Sequence, residues 1–271
     1  MKYIIVLLLV IGFISCQNTN KNKANSTEDS TLENDSLDYE IVKFNKIPAL
    51  LEGKPDSLQI AYVKASYPKF QDHQIALNKW IRKHLASQPM AEKPSLNLET
   101  AALNFLKEFE DYKREFPESP LGYAWDQNFM VYQQDSQLIN FIYSTYAYTG
   151  GAHGLETTLY LNWDKNLQRE IKLDDLLMAD YNSKLTAIAE KIFRKAEGLK
   201  NNESLDNYFF DQKKFSLNQN FLITKIGLKF LYNPYEIKSY AEGTTGLLIP
   251  YYDIEELVKQ NSIISKYIRN N

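Results

Sequence analysis

The chain is poor in sulfur and in histidine. One cysteine, Cys16, occurs in 271 residues, so no disulfide can close within the chain. The three histidines, His73, His84 and His153, include no two at a metal-ligand spacing, and no metal or cofactor is expected. Basic residues do not outnumber acidic ones, and the net charge is -3. No basic face is implied, and a nucleic acid is not an expected partner. The apolar run Tyr3–Ile14 is too short to cross a bilayer as a mature helix. There is no Gly-x-Ser-x-Gly elbow, no Gly-x-Gly-x-x-Gly turn and no phosphate loop, so the common nucleophile and nucleotide signatures are missing.

What is present begins with an export signal. Met1-Lys2 precedes the apolar run, which ends in Phe13-Ile14-Ser15-Cys16. This pattern looks like a lipobox, with acylation expected at Cys16 and residues 1–15 removed. Residues 16–36 are polar and read as a flexible tether, because they cannot bury enough surface to offset the entropy of ordering. Gln17 after the cysteine, where an aspartate would favour inner-membrane retention, points to an outer-membrane anchor facing the periplasm. Multiple acyl chains would hold the chain stably at the membrane.

Hydropathy patterns then predict α+β architecture: a largely antiparallel sheet with helices mainly on one face, in two sequential modules at 37–125 and 126–271. Strands are expected at Leu37–Phe44 and Leu58–Tyr67, with a turn at Pro55-Asp56-Ser57. A helix capped by Asp72 follows, with Leu77, Trp80, Ile81, His84 and Leu85 on one stripe. His84 reads as a packed or rim histidine. A second helix covers Leu98–Phe116, and its charged side reads as a solvated face. Strands at Phe129–Gln133, Leu138–Tyr148, Leu155–Trp163 and Leu167–Leu173 form a meander. A helix capped by Asp180 or Asn182 follows, then a hairpin of Phe221–Lys225 with Leu228–Tyr232. Thr244–Pro250 is the last strand, and helices are expected at Asp253–Gln260 and Ile263–Ile268. Aromatics make up 13% of the chain, with 19 tyrosines, more than a core alone needs and suited to a recognition surface.

Two groups of residues carry a resemblance. One is Tyr148-Thr149-Gly150-Gly151-Ala152-His153-Gly154 with Asn162-Trp163-Asp164 and Ile171-Lys172-Leu173-Asp174-Asp175-Leu176-Leu177. Phe230–Gly243 and Ile249-Pro250-Tyr251 continue it. From about Asn140 to Leu257 this resembles the extracytoplasmic module of bacterial anti-sigma-V factors, the RsiV-like domain of unknown function. The same module precedes the catalytic domain of PdaC-type peptidoglycan deacetylases. Tyr39–Ala86, with Ala65-Ser66-Tyr67-Pro68 and Leu77-Asn78-Lys79-Trp80-Ile81, resembles the companion N-terminal module of those proteins. The resemblance implies a lysozyme-like protein or a peptidoglycan fragment as ligand. Sigma-factor sequestration does not carry over, since a chain beginning at a lipobox has no cytoplasmic segment. Deacetylation does not either: it belongs to a further domain, and no Asp pair followed by His-x-x-x-His occurs.

The candidate ligand-binding residues are Tyr148, Gly150, Gly151, His153, Tyr235, Tyr240 and Glu242. The Gly-Gly turn can expose backbone N–H groups to an anion, or can serve only to reverse the chain. Tyr235, Tyr240 and Glu242 can face a glycan or protein, or the tyrosines can pack on the sheet edge. Asp174-Asp175 reads as a helix start with favourable charge. The expected function is a lipid-anchored envelope binding protein with no catalytic residues. The rivals are an envelope hydrolase using His153 with Glu242 or Asp164 as acid and base, and a structural or assembly lipoprotein.

Overall fold

A computed structural model describes residues 36–53, 60–88 and 95–268. The leader, Cys16 and the tether to residue 35 lie outside the described residues, as do the Pro55-Asp56-Ser57 turn and the first residues of the expected Leu58–Tyr67 strand.

Six strands form the larger sheet in the order β1 to β6: Tyr39–Lys46, Ala61–Phe70, Tyr123–Gln134, Leu138–Tyr148, Leu155–Asp164 and Arg169–Glu170. All neighbours run antiparallel except β2 and β3, which are parallel. Their crossover holds helices α1 (Ile75–Leu85) and α2 (Leu98–Glu115). Alternation fixes which face the helices cover. Val63, Trp125, Phe129, Phe141, Tyr143 and Trp163 share one face, packed against Leu77, Ile81 and Leu85 of α1 and Phe105 and Phe109 of α2. The fold is therefore α+β with an antiparallel-dominated sheet.

The smaller sheet contains β7 (Phe221–Ile223), β8 (Gly227–Tyr232) and β9 (Thr245–Pro250) in that order. Helices α3 (Leu173–Leu176) and α4 (Tyr181–Ala196) precede it. Leu185, Ala189 and Phe193 of α4 share a core with Phe221, Ile223, Phe230, Leu247 and Ile249. Short helices α5 (Tyr251–Ile254) and α6 (Ser265–Ile268) close the chain. No helix among the described residues is long and apolar enough to cross a membrane.

Asparagine amides join the two sheets. Beyond its short pairing with β6, the outer edge of β5 pairs with no further strand among the described residues. Backbone groups there still need partners. Thr158 N–H donates to Asn233 Oδ1 and Tyr160 N–H to Asn220 Oδ1, both at 2.7 Å. The amides of Asn220 and Asn233 donate back to Thr158 O. Asn162 completes the seam from the other side: its amide donates to Phe221 O (2.8 Å), and its Oδ1 accepts from Ile223 N–H (2.9 Å) and from Asn140 (2.6 Å). Each side chain stands in for a peptide group.

Several expectations are corrected. Gln74, not Asp72, precedes α1, without a side-chain cap. The start of α1 is fixed by Asn78, whose amide bonds both N–H and C=O of Phe70 at 3.0 Å. Strand β3 begins six residues before the expected Phe129; its inward Gln127 breaks the apolar alternation that would have revealed it. Residues 125 and 126 lie inside this strand. The Leu167–Leu173 strand shrinks to Arg169–Glu170, because Gln168 takes a left-handed φ of 49°. The expected Asp253–Gln260 helix is one turn of α5, a 3-10 turn at Glu255–Leu257 and a β-bridge from Val258 to Leu177.

Candidate functional site

The β4–β5 connection and the loop after β8 meet through aromatic rings. Gly150 and Gly151 have φ of 112° and 96°, a region closed to most side chains, and the chain reverses there. Tyr148 Oη donates to Gly151 O at 3.1 Å, bracing the turn. At Gly154 the Tyr146 ring packs over the backbone: a Cβ there would lie 2.4 Å from it, so the ring would have to shift.

His153 follows, exposed, with its ring stacked on Tyr240 at 3.8 Å between centroids and 16° between planes. Tyr235 stands 6.1 Å from the imidazole and 5.7 Å from Tyr240. His153 Nδ1 lies 2.8 Å from Gly154 O, and Nε2 lies 3.1 Å from Tyr235 Oη. A carbonyl only accepts, so Nδ1 carries the proton; in the neutral ring Nε2 then accepts from the Tyr235 hydroxyl. Tyr235 holds a left-handed φ of 69°, supported by its N–H donating to Lys238 O. For a non-glycine residue this conformation costs roughly 1–2 kcal/mol. Asn233, two residues earlier, is one of the amides on β5, so the loop is anchored beside the hairpin.

Glu242 has a local task. Its carboxylate accepts from Ser239 N–H (3.1 Å) and Ser239 Oγ (2.8 Å), capping the 3-10 turn Tyr240–Glu242. Those hydrogen bonds hold its pKa below the ordinary carboxylate value. Asp164 accepts from the N–H groups of Asn166 and Leu167 at the far end of β5. Nine steps of about 3.3 Å put it roughly 30 Å from Leu155. The structure thus groups His153, Tyr235 and Tyr240, with Tyr148 and the glycines bracing the turn, and leaves Asp164 remote. Asp175 accepts from Lys172 N–H at the start of α3 and pairs with Arg169, as expected of a helix start.

A second concavity of about 540 Å³ lies at the other end of β5, between α1, residues 95–97 and the β5–β6 turn. Trp80 and Trp163 line it, 5.0 Å apart, with Lys79, Arg82, Lys83 and Arg169 around it. Nothing in the sequence assigns a role to Lys79, Arg82 or Lys83, because charges on the outer side of a helix carry no distinctive signal. His84 lies behind Trp80 against Phe129 and Tyr143. Burial lowers its pKa below the usual histidine value, as a packed residue requires. No group of three His, Cys, Asp or Glu placed to hold a metal occurs among the described residues.

A search of curated proteins returns no match. A DUF3298 family protein from Bacteroides fragilis shares the fold at a TM-score of 0.68, with 23% identity over 86% of this chain and 97% of its own. A DUF3298 family protein from Pseudomonas aeruginosa gives 0.64, with 21% identity over 83% and 96%. The model described as deacetylase PdaC matches residues 55–156, and the model described as protein of unknown function DUF3298 matches residues 174–252. His153 thus falls in the first match and Tyr235 and Tyr240 in the second: residues 55–156 are similar to the PdaC family and residues 174–252 to DUF3298.

Proposed function

We propose that the chain is a binding protein of the bacterial cell envelope, held there by lipid on Cys16. It meets its ligand through the face formed by His153, Tyr235 and Tyr240. The ligand is a lysozyme-like hydrolase or a peptidoglycan fragment. The observation that supports binding over turnover is that both imidazole nitrogens already have partners, Gly154 O and Tyr235 Oη, while Glu242 is engaged by Ser239. A general base needs a nitrogen free to reach substrate. Rigid stacked aromatics are instead the groups that concentrate binding energy at recognition surfaces.

The test uses the mature chain without residues 1–15. Lysozyme activity on cell walls is followed while the chain is titrated in, and binding of soluble peptidoglycan fragments is measured by calorimetry. His153→Ala and Tyr235→Ala should each weaken whichever interaction is found by about 30-fold, the loss of a hot-spot residue at about 2 kcal/mol. Unaltered lysozyme together with no heat from the fragments would remove both ligands. Turnover of a wall substrate, abolished in a folded His153→Ala variant, would replace binding by hydrolysis.

A further inference from the structure

The groove at the Trp80 end of β5 is built from side chains far apart in sequence, and neither the proposed function nor the His153 cluster draws on it. Its floor is aromatic and fixed. Trp163 is 4% exposed, and Trp80 is half-buried with its indole N–H donating to Glu170 Oε2 at 3.1 Å. One rim is cationic. Lys79, Arg82 and Lys83 stand on the exposed side of α1, and none forms an ion pair among the described residues. Arg169 adds a fourth cation, held rigid by two bonds to Asp175 at 2.8 and 2.6 Å. Glu170 is the one carboxylate among the described lining residues, and Lys172 is paired with it. Ser95, Asn97 and Gln168 supply neutral polar groups elsewhere around the groove, and Leu96 is 93% exposed beside them.

We propose that this groove binds an acidic glycan, a sugar chain bearing carboxylates. The part of the Trp80 indole left open to the groove, backed by the buried Trp163, takes the C–H side of a sugar ring. Unpaired cations along one side take carboxylates, and hydroxyl and amide groups take the ring hydroxyls. An extended acidic peptide fits the walls less well. They are a helix and two turns, with only the two-residue β6 at the margin, and so offer little strand edge for main-chain pairing. The volume falls within the range of small-ligand sites, about 300–1,000 Å³.

The probe is tetragalacturonate, titrated calorimetrically into the mature chain, with its methyl ester and hexaglutamate as controls. The acidic oligosaccharide should bind and quench tryptophan fluorescence. Raising salt from about 20 to about 300 mM should weaken it, since the Debye length shrinks accordingly. The variant Lys79→Gln/Arg82→Gln/Lys83→Gln changes only exposed side chains. It should keep the circular dichroism spectrum and lose about 3- to 150-fold in affinity, from three exposed pairs at roughly 0.2–1 kcal/mol each. Absence of binding, equal affinity for the methyl ester, or unchanged affinity in the triple variant would overturn the proposal. Tighter binding of hexaglutamate would replace the glycan with a peptide.

Discussion

Removing the amide of Asn162 should separate the two sheets more effectively than removing most core side chains. Asn162 is 1% exposed and serves three partners: Phe221 O, Ile223 N–H and Asn140. Leucine has the same branched four-heavy-atom side-chain skeleton, somewhat bulkier, and no polar atom. Asn162→Leu therefore strands one acceptor and two donors in the interior. Each unsatisfied group costs about 1–3 kcal/mol, while the added apolar burial recovers roughly 1–2 kcal/mol. The net loss should be about 1–8 kcal/mol, up to a large share of the roughly 5–15 kcal/mol that holds a domain folded. In urea titrations followed by circular dichroism and tryptophan fluorescence, the midpoint should fall by about 0.5–4 M at an m-value of roughly 2 kcal/mol/M. Asn162→Asp sharpens the test. Its carboxylate can still accept from Ile223 N–H and Asn140 but sets an oxygen against Phe221 O. Protonated, the carboxyl can donate to that carbonyl again. Its folded pKa should therefore lie above the unfolded carboxylate value of about 3.9. A raised folded pKa gives stability that is present at low pH and lost as pH rises through it. The deficit against the natural chain should be smaller near pH 4 than near pH 7. A cost under about 1 kcal/mol for Asn162→Leu, or a pH-independent deficit for Asn162→Asp, would refute the view of the seam as paired peptide surrogates.

Three further outcomes are expected. His84 has a pKa lowered chiefly by burial, so its contribution is complete above the unfolded value of about 6.5 and is lost as pH falls through the folded pKa; denaturation midpoints should decline over that window, and less in His84→Gln. Gly154→Ala should destabilise by about 1–3 kcal/mol through overpacking against the Tyr146 ring, and much of that loss should vanish in a Tyr146→Ala background, as a double-mutant cycle in urea would show. Asp135 binds Lys266 and the N–H groups of Gln137 and Leu138. Burial opposes its ionisation, but these bonds prevail and lower its pKa. Its stabilisation should be present above the usual carboxylate value and lost as pH falls through the folded pKa; Asp135→Asn should flatten that acid limb of the thermal melting curve.

Most strands and the three long helices were legible because each has a clear apolar period. β4 and β5 announce themselves by aromatic and β-branched residues, and α1 by Leu77, Ile81 and Leu85. The failures have physical reasons. An asparagine inside a strand reads as an outward residue or a turn, so Asn140 and Asn162 gave no hint that they face a second sheet. Gln127 points into the core with its Oε1 bonded to Tyr143, and it hid the front of β3. The left-handed turn at Gln168 carries no glycine to mark it. The site was legible in its parts but not in its assembly. His153 and Tyr235 are separated by 82 positions, and only tertiary structure could show that the imidazole stacks on tyrosines rather than meeting a carboxylate. The basic groove draws on residues 76–83, 95–97 and 163–170, none distinctive alone.

The asparagine seam also sets how the molecule ages. Asparagine loses its amide when the following backbone nitrogen attacks the side chain to form a cyclic imide. At Asn233 the next residue is Pro234, whose nitrogen has no hydrogen, and that route is shut. Asn140, Asn162 and Asn220 are followed by Phe141, Trp163 and Phe221, bulky neighbours that crowd the ring closure. The joint is made of perishable groups placed in contexts that slow their decay, and one hydrolysed amide at Asn162 would turn an old preparation into the acid variant.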